Sequence, residues 1–155
     1  MIKVYFAGPD IFYPDYEQHK LKIRGLCLRS GIEPLFPDDN NLTDPHQICL
    51  SNIGLIKQAD AVIANLNPFR SILEPDSGTA FECGLAFGMA KNIIGYVEDL
   101  RPQVEKLGKK VSADGSSVED FGLPVNLMLA YCLDLASSLE EAILHLCQIK
   151  NLPKA

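Results

Sequence analysis

Ala61-Val62-Ile63-Ala64-Asn65-Leu66, then Asn67-Pro68, a loop over 69–75, and Asp76-Ser77-Gly78-Thr79-Ala80-Phe81-Glu82-Cys83-Gly84-Leu85-Ala86-Phe87-Gly88-Met89-Ala90 are the stretch that decides the fold. The first run is continuously apolar, which suits a strand buried on both faces of a parallel sheet. Asn67-Pro68 ends it. Pro75 breaks the chain again, and Asp76 is a good N-cap, its carboxylate matched to the free N–H groups and positive pole of a helix start. From Ala80 the residues are apolar or small, so most of this helix is expected to be buried. Gly84 and Gly88, four apart, share a face and allow a neighbouring element close. Glu82 is the exception: a carboxylate in an apolar run, which calls for a partner or a function.

Working outward, the same alternation repeats. Ile2–Ala7 reads as a strand, stopped by Gly8-Pro9-Asp10. A helix opens at Tyr13-Pro14-Asp15 and runs to about Ser30, with Gly31 as its stop. Residues 32–36 form a short strand in which Pro34 suits a sheet edge. A loop rich in Asp, Asn and Pro covers 37–45. Asp44 caps a helix running from Pro45 to about Gln58. Residues 93–97 are a fourth strand. Residues 98–123 lack periodicity and read as a long loop or small hairpin. Helices over about 124–135 and 138–149 close the chain, the second opened by the capping box Ser138-Leu139-Glu140-Glu141. The pattern is one α/β domain spanning 1–155: a doubly wound, flavodoxin- or Rossmann-like parallel sheet of four or five strands flanked by helices. In such sheets ligands bind beyond the carboxyl ends of the strands. That gathers Gly8, Asp10, Asn67 and the start of the Asp76 helix around one cleft.

The 155 residues are 47% apolar and carry a formal net charge of −6. That charge disfavours nucleic acid as a partner, and no apolar stretch suits a membrane span. Cys27, Cys49, Cys83, Cys132 and Cys147 form no Cys-x-x-Cys pair and read as reduced residues of a cytoplasmic protein. The three histidines are scattered, and no ligand spacing among them suggests a metal site. No Gly-rich phosphate cradle follows the first strand. The polar residues that converge, Tyr5, Asp10, Asn52, Asn67, Asp76 and Glu82, describe a small pocket with carboxylates.

Val4-Tyr5-Phe6-Ala7-Gly8-Pro9, residues 59–66, the run 76–84 and Asp120-Phe121-Gly122-Leu123-Pro124-Val125-Asn126-Leu127-Met128-Leu129 together resemble the nucleoside 2-deoxyribosyltransferase family, over roughly residues 3–146. The resemblance implies an enzyme that moves 2-deoxyribose from one nucleobase to another through a covalent glycosyl-enzyme, without a cofactor. It implies Glu82 as nucleophile and Tyr5 as the hydroxyl that holds it. Asp76 and Asn126 would grip the sugar 5′-hydroxyl, Asn126 reaching in from a second subunit of a homo-oligomer, and Met128 would wall the sugar. Gly8, Asn67 and Gly78 complete the substrate-binding candidates. One position departs from the family. Where better-known members carry an Asp that protonates the base, this chain has Asn52, an amide that can bond a base but not act as its acid. Asp10 is the candidate for that acid. The alternatives on the same scaffold are a hydrolase of nucleosides or deoxynucleoside monophosphates, and a non-catalytic flavodoxin-like nucleotide-binding module. The acidic and apolar loop Gly8-Pro9-Asp10-Ile11-Phe12 favours a free nucleoside over a phosphate.

Overall fold

In a computed structural model, which describes residues 1–38, 40–151 and 153, the chain is a five-stranded parallel sheet covered on both faces. Its elements are β1 (Ile2–Ala7), α1 (Tyr16–Arg29), β2 (Ile32–Leu35), α2 (Pro45–Gln58), β3 (Ala61–Asn65), α3 (Ser77–Gly88), β4 (Asn92–Tyr96), α4 (Gln103–Leu107), α5 (Leu127–Cys132), β5 (Asp134–Ala136) and α6 (Leu139–Lys150). A 3-10 turn, Pro9–Phe12, follows β1. The strand order is β2-β1-β3-β4-β5, with every pairing parallel. This is the flavodoxin-like order, and its direction reverses between β1 and β3.

Alternation along each strand builds two cores. Val4, Phe6, Ile63 and Ile94 pack with residues of α1 and α6. Tyr5, Ala7, Val62 and Ala64 pack with residues of α2, α3 and α5. β3 is buried along its whole length, as its apolar run requires. β2, with Pro34, lies at the sheet edge.

Three expectations are corrected. The helix expected over about 124–135 is shorter, because Leu133 turns extended (φ −151°, ψ 162°) and Asp134–Ala136 pair with Ile94–Tyr96 as a fifth strand. Pairing to an open sheet edge outweighs a helical pattern in a three-residue segment. The stretch 98–123, expected as a long loop or small hairpin, holds an antiparallel bridge between Val111 and Ser117 as a hairpin would, but also a short helix, α4. Finally, α3 is not mostly buried. Thr79, Cys83 and Ala86 face inward, while Phe81 and Phe87 are more than half exposed. A side chain at Gly84 or Gly88 would meet nothing within 4 Å, so no described element of this chain packs closely on them. None of the helices described is long and apolar enough to cross a membrane.

Candidate active site

A cleft of about 600 Å³ opens at the carboxyl ends of β1 and β2. One wall comes from α3 and its cap: Asp76, Gly78 and Glu82. The other comes from the β2–α2 loop and α2, with Asp38, Asn41, Leu42, Thr43, Ile48 and Asn52. Gly8, Ile11 and Phe12 lie between them. The size and mixed lining suit a small organic ligand.

Asp76 caps α3: its Oδ2 accepts from the Thr79 N–H at 2.9 Å and the Thr79 hydroxyl at 3.1 Å. A Cβ on residue 78 would lie 2.9 Å from that oxygen, so glycine leaves the carboxylate its place. One turn on, Glu82 projects towards the sheet. The hydroxyl of Tyr5, fully buried on β1, donates to Glu82 Oε1 at 2.6 Å. The pair joins residues 77 apart, and the parallel β1–β3 ladder together with the β3–α3 crossover makes it meet.

The electrostatics follow from burial. Desolvation raises the Glu82 pKa to about 7; the Tyr5 hydrogen bond opposes this rise, and the nearby Asp76 charge adds to it. Burial, then the Glu82 charge, drives the Tyr5 hydroxyl far above its ordinary value, so it remains a donor. Asp38 moves the other way. Burial alone would raise it, but hydrogen bonds from Lys20 and Tyr16 hold it below the usual carboxylate range. Asn52 lines the cleft as expected, and its Oδ1 is buried with no hydrogen-bond partner among the described residues. Such an orphaned acceptor is costly and calls for a partner from outside the described residues.

The other candidates are placed differently. Asp10 does not line the cleft, although its neighbours Gly8, Ile11 and Phe12 do. It faces a separate cavity of about 10 Å³ with Tyr16 and Tyr96. Its Oδ1 accepts from Asn65 Nδ2 at 3.0 Å and lies 3.2 Å from His19 Nε2. The hydrogen bond to Asp10 raises the His19 pKa above its ordinary value, against the desolvation that lowers it. The acid role expected of Asp10 therefore lacks geometric support. The 3-10 turn folds Asp10 back over Gly8, where a Cβ would meet its Oδ2 at 2.2 Å. Asn67 is likewise engaged within the chain. Its backbone N–H and Nδ2 donate to Asn65 Oδ1 at 3.1 and 3.0 Å, and its Oδ1 accepts from the Glu98 N–H at 2.9 Å. These bonds tie the ends of β3 and β4 together, and Asn67 does not line the cleft.

Asn126 and Met128 lie on the far side of α3. With Ser77, Ala80 and Gly84 they line a surface hollow of about 400 Å³, and Met128 is more than half exposed. Asn126 caps α5 through its Oδ1, which accepts from the Met128 N–H at 2.9 Å. Glu119, which sequence reasoning missed, holds it: Asn126 Nδ2 donates to Oε1 at 2.6 Å and the Leu127 N–H to Oε2 at 2.9 Å. Asp38 was also missed. Its position just past the end of β2, matching that of Gly8 past β1, is the signal that marks it.

Comparison with known proteins agrees with the geometry. The chain is similar to a 2-deoxyribosyltransferase from Leishmania mexicana at 44% identity and a TM-score of 0.89, over 96% of this chain and 98% of that one. A 2-deoxyribosyltransferase from Bacillus psychrosaccharolyticus shares the fold at 19% identity and a TM-score of 0.57, over 84% and 82% of the two chains. An uncharacterized protein of Schizosaccharomyces pombe is 26% identical over 113 residues, 67% of this chain; the match spans 54% of that curated relative's length. Residues 4–128 match the nucleoside 2-deoxyribosyltransferase family, and the chain belongs to that family.

Proposed function

We propose that the protein exchanges nucleobases on 2′-deoxyribonucleosides through a glycosyl-enzyme on Glu82. The observation that carries this reading is the Tyr5 hydroxyl 2.6 Å from Glu82 Oε1 in a cleft that fits a nucleoside. Glu82 attacks C1′ of the deoxyribose. The C1′–N bond breaks, its electron pair leaves with the base, and that base takes up a proton. A second base attacks C1′ through a ring nitrogen, displaces the carboxylate and loses a proton. Two displacements retain the anomeric configuration. The Tyr5 hydrogen bond fixes one carboxylate oxygen and leaves the other for C1′. Asp76, at the mouth of the same wall, accepts from the sugar 5′-hydroxyl. Its negative charge disfavours a 5′-phosphate.

The assembly belongs to the same reading. Asn126 and Met128 line a hollow apart from their own chain's cleft, and α3 and α5 also expose Phe81, Phe87 and Tyr131. Apolar surface of this kind marks an interaction site. In a two-fold dimer it would bring Asn126 to the partner's Asp76. The exchange of bases on preformed nucleosides is salvage chemistry, and five free cysteines suit a reducing cytoplasm.

The test is incubation of a 2′-deoxynucleoside with a different free base, followed by chromatography. The expected product is the new deoxynucleoside. Release of base and free deoxyribose without exchange would make the protein a hydrolase instead.

A further inference from the structure

Asp38 is the carboxylate of the cleft that the mechanism does not use. It lies in the wall opposite Glu82, just after β2. Two residues of α1 fix it through one oxygen: the Tyr16 hydroxyl donates to Oδ1 at 2.6 Å and Lys20 Nζ at 2.7 Å. Lys20 is itself seated on aromatic faces, 5.0 Å from the Phe36 ring centroid and 5.7 Å from that of Tyr16. The carboxylate is only a quarter exposed. It is thus an immobilised anion, and an ionised carboxylate accepts hydrogen bonds without donating any. On the same wall Asn52 Oδ1 is a buried acceptor without a donor among the described residues. The nucleophile on α3 fixes where the sugar sits, so the base extends to the Asp38 wall.

We propose that Asp38 selects the nucleobase, accepting a hydrogen bond from the exocyclic amine on the base edge remote from the sugar. This rests on the exchange reading above. A desolvated carboxylate facing a base without such a donor would stay unsatisfied, and sites built to bond a substrate group reject analogues that lack it. The roles of the two oxygens make a sharper statement. In Asp38→Asn, Tyr16 and Lys20 still donate to the amide oxygen, which leaves the amide N–H₂ towards the cleft. An acceptor becomes a donor with almost no change of shape.

The experiment compares adenine, 6-methylpurine and hypoxanthine, which place an amine, a methyl group and a carbonyl at one position. Equilibrium binding of each free base is measured by calorimetry, and each is also tested as acceptor in the exchange assay. The unmodified protein is expected to favour adenine over 6-methylpurine by about tenfold or more, the value of one hydrogen bond to a charged group. Asp38→Asn should bring that ratio close to one and raise hypoxanthine relative to adenine. Ratios within one preparation do not depend on the fraction folded, so a destabilised variant still reports. Ratios in Asp38→Asn within about twofold of the unmodified protein would overturn the assignment while leaving the exchange reading intact. An Asp38-dependent binding preference without exchange would sustain the assignment and overturn the reading on which it was built.

Discussion

Glu82 and Asp38 face each other across one cleft, and their surroundings push them in opposite directions. Burial acts on both as the largest single influence, and on both it favours the neutral acid. The difference lies in the partner. Asp38 is met by a cation, Lys20, and a phenol. Among the described residues Glu82 is met by a phenol alone, with the negative Asp76 close by. One carboxylate is thereby held as a permanent anion fit for recognition. The other titrates near pH 7, which suits the nucleophilic role proposed for it. Two carboxylates in one site take two tasks because their neighbours differ.

The largest expected effect comes from deleting one side of this comparison. Glu82→Ala removes the attacking atom, so exchange should fall by roughly three orders of magnitude or more, whereas Asp38→Asn should redistribute activity among bases. The same variant tests whether each site is shared between two chains. Asn126→Ala is expected to be nearly inactive alone, as Glu82→Ala is. Mixed under conditions that allow subunit exchange, the two should recover roughly a quarter of full activity. Half the reassorted dimers are hybrids, and each hybrid holds one intact site of two. No recovery despite mass-spectrometric proof of hybrid dimers would place Asn126 outside the partner's site.

A smaller effect sharpens the role of the phenol. The Tyr5 hydrogen bond lowers the Glu82 pKa against the larger rise from burial. Removing it in Tyr5→Phe leaves burial unopposed, so the acid limb of the kcat/KM profile, expected near pH 7, should move to higher pH. At neutral pH the loss should be on the order of tenfold to a hundredfold, and it should shrink as pH rises. A uniform loss across pH 6–9 would show that Tyr5 orients the carboxylate without tuning it.

The two sides of the cleft were unequally legible in the sequence, for physical reasons. Glu82 stands out because a lone charge in an apolar helix is costly unless it is used, and Asp76 because a cap before Ser77-Gly78-Thr79 has a known task. The strands β1 to β4 announce themselves as apolar runs between turn residues. Asp38 sits in a loop where Asp and Asn are ordinary turn formers, so only its position just past the end of β2 separates it from a turn residue. Its partners Tyr16 and Lys20 lie 22 and 18 residues back, on a helix whose docking only the fold specifies. β5 was hidden because three residues carry no period. The open face of α3 was hidden too, since apolar composition reads alike whether its cover is the same chain or another. The Asp10 reading erred in assuming that proximity to the strand ends meant facing the cleft. The 3-10 turn after Gly8 faces it instead with Ile11 and Phe12.

The smallest effect, and the one that isolates the contrast from catalysis, is the dependence of stability on pH. Glu82 binds its proton more tightly folded, with a pKa of about 7, than unfolded, where an ordinary glutamate titrates near 4.5. Between those values the native chain carries the extra proton, so stability falls as pH rises through that window and is level above it. Asp38 behaves oppositely: its depressed pKa contributes stability above the ordinary carboxylate value that is lost as pH falls through the folded one. Glu82→Gln keeps an acceptor for the Tyr5 hydroxyl but cannot ionise. Relative to this variant, the unmodified protein should lose up to about 3 kcal/mol between pH 4.5 and 7, at about 1.4 kcal/mol per unit of pKa displacement. Urea unfolding at fixed protein concentration measures the difference at each pH. A constant difference across the window would mean that Glu82 is not desolvated in the folded chain, and the contrast with Asp38 would then reduce to Asp38 alone.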